Sequence, residues 1–332
     1  MMNNKKRILL IMPNFFNYPT IISRSLKNKG YEVDVFDDRP STNPWVKAAV
    51  RFNKNLIKKY IKNYFKKVLQ LTNDNQYKYV LLISGQSLSF DESMIKILRK
   101  KHKEATFILY QWDSMSNFPY IARMHKYFDR LYTFDREDAK NYEQLTFLPL
   151  FYSDQYKKIA ESNSPIKYDT FFVGTAHPKK YYFIKKMTAQ LSKVYKNQYI
   201  YYFFPSRLVY WYRKCFNIEL RHAKMKEFHF QPLNDNKINK LMSESKIVLD
   251  SPQSGQTGLT IRVIETLGSK KKLITTNSDI KNYDFYNPQN IYVYDGRFDF
   301  NSTFFKEPYK ELDKDIYHKY SLDNWLHVLL RD

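Results

Sequence analysis

Arg262 and Glu265 stand three residues apart in the stretch SGQTGLTIRVIETLG, directly after the apolar run KIVLD-SPQ and before KKKLITT. The chain has only seven glycines, and Gly255, Gly258 and Gly268 all fall in this one segment. From Leu259 the apolar residues recur at helical spacing, so residues 255–260 read as a loop feeding a helix N-terminus. Free backbone N–H groups and the helix dipole favour a phosphate at such a place. Glycine lets the backbone approach it with no Cβ in the way. Positions i and i+3 share one helix face; arginine there suits a two-pronged grip on phosphate, and glutamate is an acceptor matched to ribose hydroxyls. The segment is therefore expected to recognise a sugar nucleotide, with Gln253 and Thr257 as further contacts. The competing reading is a surface salt bridge between Arg262 and Glu265 on a helix whose loop merely turns the chain.

Such residues need strands and helices to hold them. RILLIM, YEVDVF, KYVLLIS, TFILYQ and RLYTF are short, β-rich apolar runs, separated by helical patterns around residues 21–29, 46–71, 92–101 and 121–127. That alternation predicts a parallel, doubly wound sheet. In such sheets ligands bind outside the carboxyl ends of the strands. The strand tips are therefore where chemistry belongs: Asn14, Asp37-Asp38, Ser84-Gly85-Gln86 and Trp112-Asp113-Ser114. Residues 152–168 are polar and poor in pattern, as a linker would be. A second alternation follows, with strands at YDTFFVG, YIYYFF, EFHFQ, KIVLD, KLITT and NIYVY, a turn at Gly174-Thr175-Ala176-His177-Pro178, and a helix over 234–243. KYSLDNWLHVLL has the spacing of a terminal helix. The expected layout is two Rossmann-like α/β domains facing a cleft: residues 1–155, residues 156–315, and a helix over 316–332 that returns to the first domain.

Composition narrows the class. With 332 residues, 43% apolar and including 29 Tyr and 25 Phe, the chain can bury a core in each domain. A single cysteine, Cys215, rules out a disulfide framework and a cysteine-built zinc site, and fits a reducing compartment. No run approaches the roughly 18 to 20 apolar residues of a spanning helix. RILLIM follows basic residues as a signal core would, but it is too short, lacks a cleavage site and ends in Pro13-Asn14. It reads as the first strand of a cytoplasmic protein. The formal charge of +22 attracts anions such as nucleic acid, acidic lipid or phosphorylated substrates. An AT-rich genome would account for part of the lysine excess.

The order strand, Gly-rich loop, helix bearing Glu265, then LGSKKKLITT resembles the C-terminal domain of GT-B glycosyltransferases. The matching residues are Gly258, Leu259, Arg262, Glu265, Leu267, Gly268, Leu273, Ile274, Thr275 and Thr276. YQWDSMSNFP, FDREDAKNY and FLPLFY further resemble bacterial glycosyltransferases of lipopolysaccharide, capsule and exopolysaccharide assembly. The resemblance implies a nucleotide-sugar donor as substrate and no separate cofactor. Glu265 would bind the donor's ribose, the loop through Gly258 would face its phosphates, and Gly174-Thr175 would form the opposite wall. Many retaining members carry a second Glu seven positions away; eight residues before Glu265 this chain has Thr257. A retaining mechanism therefore does not carry over, and inversion is slightly favoured.

An inverting transfer needs a general base within hydrogen-bond reach of the acceptor hydroxyl. Asp113 is the first choice, then Asp38 or its neighbour Asp37, then His177 from the second domain. Each has a plainer reading: Asp113 or Ser114 capping a helix near Phe118, Asp37 and Asp38 pairing with Arg39 or a lysine, and His177 sitting in a turn where Pro178 opens a helix. Lys179 and Lys180, like His177, are placed to meet a diphosphate. No His-x-x-x-His, paired cysteine or acidic triad suggests a tightly held metal.

The stretch NPWVKAAVRFNKNLIKKYIKNYFKKVLQLT contains no acidic residue and spaces its apolar residues helically. Trp45, with Lys58, Lys59, Lys62, Lys66 and Lys67, composes a helix suited to an anionic membrane surface. A solvated basic helix covering the first domain is the alternative. The implied partners are a nucleotide sugar, a lipid-linked saccharide acceptor and the inner face of the cell membrane. Two other readings stay open: the same fold with a phosphorylated pentose donor or sugar-nucleotide epimerase chemistry, and a basic nucleic-acid-binding protein. The last is disfavoured because the basic residues are spread through helices with no recognisable recognition element.

Overall fold

The computed structural model describes residues 6–15, 17–39, 58–84, 90–252 and 257–331. The chain forms two compact units, Met1–Pro149 together with Leu326–Asp332, and Leu150–Trp325.

The first unit runs β1 (Arg7–Met12), α1 (Tyr18–Asn28), β2 (Glu32–Asp37), α2 (Lys58–Leu71), β3 (Tyr79–Ser84), α3 (Glu92–Lys101), β4 (Thr106–Gln111), a 3-10 helix (Pro119–Tyr127), β5 (Arg130–Thr133), α4 (Arg136–Asn141) and β6 (Thr146–Phe147). All six strands pair in parallel, in the order β2-β1-β3-β4-β5-β6. Burial on both faces is why these strands read as unbroken apolar runs: every residue of β3 is buried. Short polar side chains start the helices, with Asp91 and Asp135 accepting from the backbone N–H of Met94 and Glu137. Successive strands leave β1 in opposite directions, so the sheet's switch point lies between β1 and β3.

The second unit runs α5 (Asp154–Ala160), β7 (Tyr168–Thr175), α6 (Pro178–Leu191), β8 (Gln198–Phe203), α7 (Arg207–Phe216), β9 (Phe228–His229), α8 (Asp235–Ser243), β10 (Ser245–Asp250), α9 (Ile261–Gly268), β11 (Lys272–Thr275), β12 (Ile291–Val293), α10 (Thr303–Lys306) and α11 (Lys314–Lys319), and leads into α12 (Leu322–Leu330). Its sheet is also parallel, in the order β12-β11-β10-β7-β8-β9, with the switch point between β7 and β10.

Two boundaries differ from the sequence expectation. Residues 150–155 group with the second unit, and the segment expected to be a pattern-poor linker contains α5, because Tyr156 and Ile159 turn inward one helical turn apart. Residues 316–325 also group with the second unit. There Tyr317 donates to the Gly268 carbonyl (2.7 Å) and Tyr320 to Asp284 (2.6 Å). Only from Leu326 does α12 belong to the first unit, where Tyr79 donates to the Leu330 carbonyl (2.9 Å).

Gly268 closes α9 against a buried ring. A Cβ added there would come 2.6 Å from the Cβ of Tyr152, which is itself 3% exposed. This glycine serves close packing. Gly268→Ala is therefore expected to lose about 1–3 kcal/mol by overpacking, read as a lower denaturant midpoint with unchanged slope. An unchanged midpoint would show that Tyr152 can step aside.

Candidate functional site

In the second unit the switch point gathers residues from five elements. β7 runs out through Gly174 and Thr175 into Ala176, His177 and the first turn of α6. Asp250 ends β10 and is 2% exposed. Arg262 and Glu265 face inward from α9, and Tyr156 from α5.

Arg262 and Glu265 do pair, Nη1 to Oε2 at 2.9 Å, but their side chains are only 18% and 6% exposed, so the pair is no surface salt bridge. The Tyr156 hydroxyl is buried beside this pair. Its pKa is raised well above 10, first by burial and then by the Glu265 charge. The Arg262 guanidinium also lies 6.0 Å over the Phe171 ring. Lys180, on the first turn of α6, feels the same cluster: burial lowers its pKa, Asp250 opposes that and Arg262 adds to it. Two cations and two carboxylates thus share a desolvated corner, and among the described residues Asp250 Oδ2 has no hydrogen-bond partner. Such a corner can trade its internal charge pairing for the phosphates and hydroxyls of a ligand.

The loop ahead of α9 is held from below. Asn277 donates to the carbonyls of Thr257 (2.9 Å) and Gly258 (3.4 Å), and Ser251 shares a hydrogen bond with Thr276 (3.0 Å). Gln253 and Gly255 lie outside the described residues. At Gly174 an added Cβ would sit 3.0 Å from the Phe172 ring, so the strand end leaves little room for a larger residue. His177 precedes α6 without a side-chain cap bond, and its Nδ1 lies 3.4 Å from Arg213 Nη1. Burial, Arg213 and Lys180 push its pKa down to about 4. It is neutral at pH 7, and its weak basicity makes it a poor proton acceptor there.

The first unit gathers acids at its own switch point. Asp38 follows β2, donates its backbone N–H to the Met12 carbonyl of β1 (3.1 Å), and accepts from Ser84 Oγ of β3 (2.9 Å). It is 1% exposed, and Arg39 Nε stands 3.9 Å from its other oxygen. Desolvation pushes its pKa up to about 7, opposed by Ser84 and Arg39 and reinforced by Asp37 and Asp113. Asp113, past the tip of β4, also has its pKa raised by the protein packed around it and pulled back by Arg39, yet its side chain is exposed. It caps no helix: the 3-10 helix has Phe118 as its capping residue and no side-chain cap bond. Ser114 instead donates to Asp135.

Of the expected membrane helix, Trp45 lies outside the described residues. In α2, Phe65 and Val68 are buried in the first unit's core with Ile61 and Tyr64 packed against it, which leaves Lys58, Lys59, Lys62, Lys66 and Lys67 outward. Three further residues belong to these sites. Asp250 ends KIVLD and was open to the strand-tip argument. Tyr156 was signalled by its spacing from Ile159 and by Ser153-Asp154 ahead of them. Asn277 carried no signal, since its role depends on where two distant loops meet.

No family model and no curated protein matches the sequence. Solved structures match in fold. A glycosyltransferase from Rickettsia africae superposes with a TM-score of 0.57 at 13% identity, covering 99% of this chain and 100% of that one. Sucrose-phosphate synthase from Thermosynechococcus elongatus gives 0.56 at 10% identity, covering 99% and 90%. Anabaena HepE in complex with UDP and glucose gives 0.51 at 10% identity, covering 98% and 90%. The chain has the two-domain α/β fold of GT-B glycosyltransferases. Among the described residues no cluster of three or more His, Cys, Asp or Glu is placed to hold a metal, and no helix is long and apolar enough to cross a membrane.

Proposed function

We propose that the chain is a glycosyltransferase that moves a sugar from a nucleoside-diphosphate donor to a lipid-linked saccharide in bacterial surface-polysaccharide synthesis, at the cytoplasmic face of the membrane. The observation that carries this is the desolvated corner of Lys180, Asp250, Arg262 and Glu265 at the second sheet's switch point, in a fold shared with solved glycosyltransferases. Lys180 and Arg262 meet the diphosphate, Glu265 accepts from the ribose, and the Asn277-anchored loop brings backbone N–H groups alongside. In an inverting displacement the acceptor hydroxyl attacks the anomeric carbon. The bond from that carbon to the phosphate oxygen breaks, its electron pair stays on the leaving nucleoside diphosphate, and the hydroxyl proton passes to a carboxylate. Asp113 is assigned as that base, because it is exposed and Asp38 is not. Lys180 and Arg262 offset the charge that develops on the leaving group.

A thermal-shift panel of nucleotides tests the reading. A ligand at a hundredfold excess over its Kd stabilises the folded chain by about 2.7 kcal/mol. Nucleoside diphosphates should raise the melting temperature more than the bare nucleosides do. Lys180→Met should weaken diphosphates about tenfold or more, the scale of a charge-assisted phosphate contact, while leaving nucleoside affinity unchanged. No shift with any nucleotide, or instead a steeply salt-dependent affinity for RNA, would overturn the assignment.

A further inference from the structure

The outer face of α7 is built the wrong way round for a helix on a water-soluble surface. Leu208, Trp211, Tyr212, Cys215 and Phe216 follow the i, i+3, i+4, i+7, i+8 spacing of an apolar stripe. That stripe faces solvent: Leu208 is 81% exposed, Trp211 51%, Tyr212 66% and Phe216 74%, and Ile218 just beyond is 79% exposed. Two of the helix's basic residues fold back against the protein. Lys214 donates to the Ala223 carbonyl (2.7 Å), and the Arg213 guanidinium lies 5.7 Å over the Phe204 ring.

The helix is firmly seated. Ser206 accepts from the Val209 N–H at its start, and buried Tyr210 donates to the Ala223 carbonyl (3.0 Å) among the rings of Phe204 and Phe228. Its outward apolar residues are therefore held in place and have no cover among the described residues. Ile218 also lines a cavity of ≈ 780 Å³ with Tyr182, Phe183 and Ala189, so the apolar surface continues past the helix.

We infer that this face of α7 inserts into the headgroup and acyl boundary of an anionic membrane. Charge and side-chain type both select that occupant. No Asp or Glu occurs between Asp169 and Glu219, and Arg207 on the helix and Arg221, Lys224 and Lys226 shortly after it are exposed. Trp and Tyr carry an apolar ring and a polar edge suited to the interface. A short helix lying flat with its apolar face down and cations around it is the arrangement that binds acidic lipid. The inference deepens the membrane part of the proposed function, but it requires neither a donor nor glycosyl transfer, so it stands or falls separately.

The chain's one cysteine lies in the stripe, exposed, and serves as the reporter without any substitution. An environment-sensitive dye on Cys215 is expected to shift to shorter wavelength on addition of vesicles containing phosphatidylglycerol. Brominated acyl chains should quench it, and neither effect should occur with pure phosphatidylcholine. The triple variant Leu208→Ser, Trp211→Ser, Phe216→Ser should lower vesicle partitioning about tenfold or more while keeping the wild-type melting temperature and nucleotide response. Vesicle binding with an unshifted dye would place the contact elsewhere, at the lysines of α2 for instance, and overturn the inference. So would absence of binding to anionic vesicles. A lipid-independent dye shift that grows with protein concentration, with a dimer in light scattering that the triple variant abolishes, would make a second copy the occupant.

Discussion

Glu265→Ala is expected to lose donor binding and to cost the folded chain about 3–5 kcal/mol, the scale for leaving one member of a buried ion pair alone. The change strands the Arg262 guanidinium in a corner where burial already lowers the Lys180 pKa. Arg262→Ala should cost a similar amount by leaving the Glu265 carboxylate without its cation, and should weaken diphosphate donors more than nucleosides. Glu265→Gln separates the two roles. It keeps an oxygen for Arg262 and for a ribose hydroxyl but gives up the charge, so it should retain more stability than the alanine variant and part of the donor affinity. Denaturant melts set beside calorimetric donor titrations read both quantities. A loss of only about 0–1 kcal/mol would mean that the pair behaves as an exposed one. Full donor affinity in Glu265→Ala would remove the site from α9.

Why the motif was legible and its setting was not follows from what each depends on. Strand tips and helix faces are local: Asp38, Asp113, Gly174 and Arg262 with Glu265 fall where period and punctuation put them, because a buried parallel strand must be an apolar run ended by polar residues. Burial is not local. The sequence gives Arg262 and Glu265 the same spacing whether they face water or core. What decides is Tyr156, more than a hundred residues earlier in the chain, on a helix hidden in a stretch whose polar surface residues mask two inward positions. Gly268 shows the same limit from the other side. Grouped by sequence with the ligand-facing glycines, it is held instead by the Tyr152 ring packed against it. In α2 the helical period was readable, but Phe65 and Val68 could equally have faced lipid until a sheet was there to receive them.

The two acids of the first unit should part company under substitution. Asp113→Asn is expected to lower kcat by about 10²–10⁴, the usual contribution of a positioned general base, with little change in melting temperature because the side chain is exposed. In the wild type the acid limb of the kcat/KM profile should lie above the ordinary carboxylate range, since the surrounding protein raises the Asp113 pKa. Asp38 carries the opposite signature. Its folded-state pKa is raised from 3.8 to about 7, so the fold holds its proton more tightly than the unfolded chain does. The stability this gives is fully present below about pH 4 and is lost as pH rises to about 7, on the order of 2–4 kcal/mol for a shift of this size. Asp38→Asn has no proton to lose and its side-chain oxygen can still accept from Ser84. The variant should therefore be the more stable protein at pH 8, show a flatter pH dependence between 4 and 7, and keep kcat within about tenfold of wild type, well short of the loss of a general base. Melts across that pH range, with kcat measured on the same two variants, distinguish the acids. If Asp38→Asn is the variant that loses turnover while Asp113→Asn keeps it, the proton goes to the buried carboxylate and the assignment of the base to Asp113 is wrong.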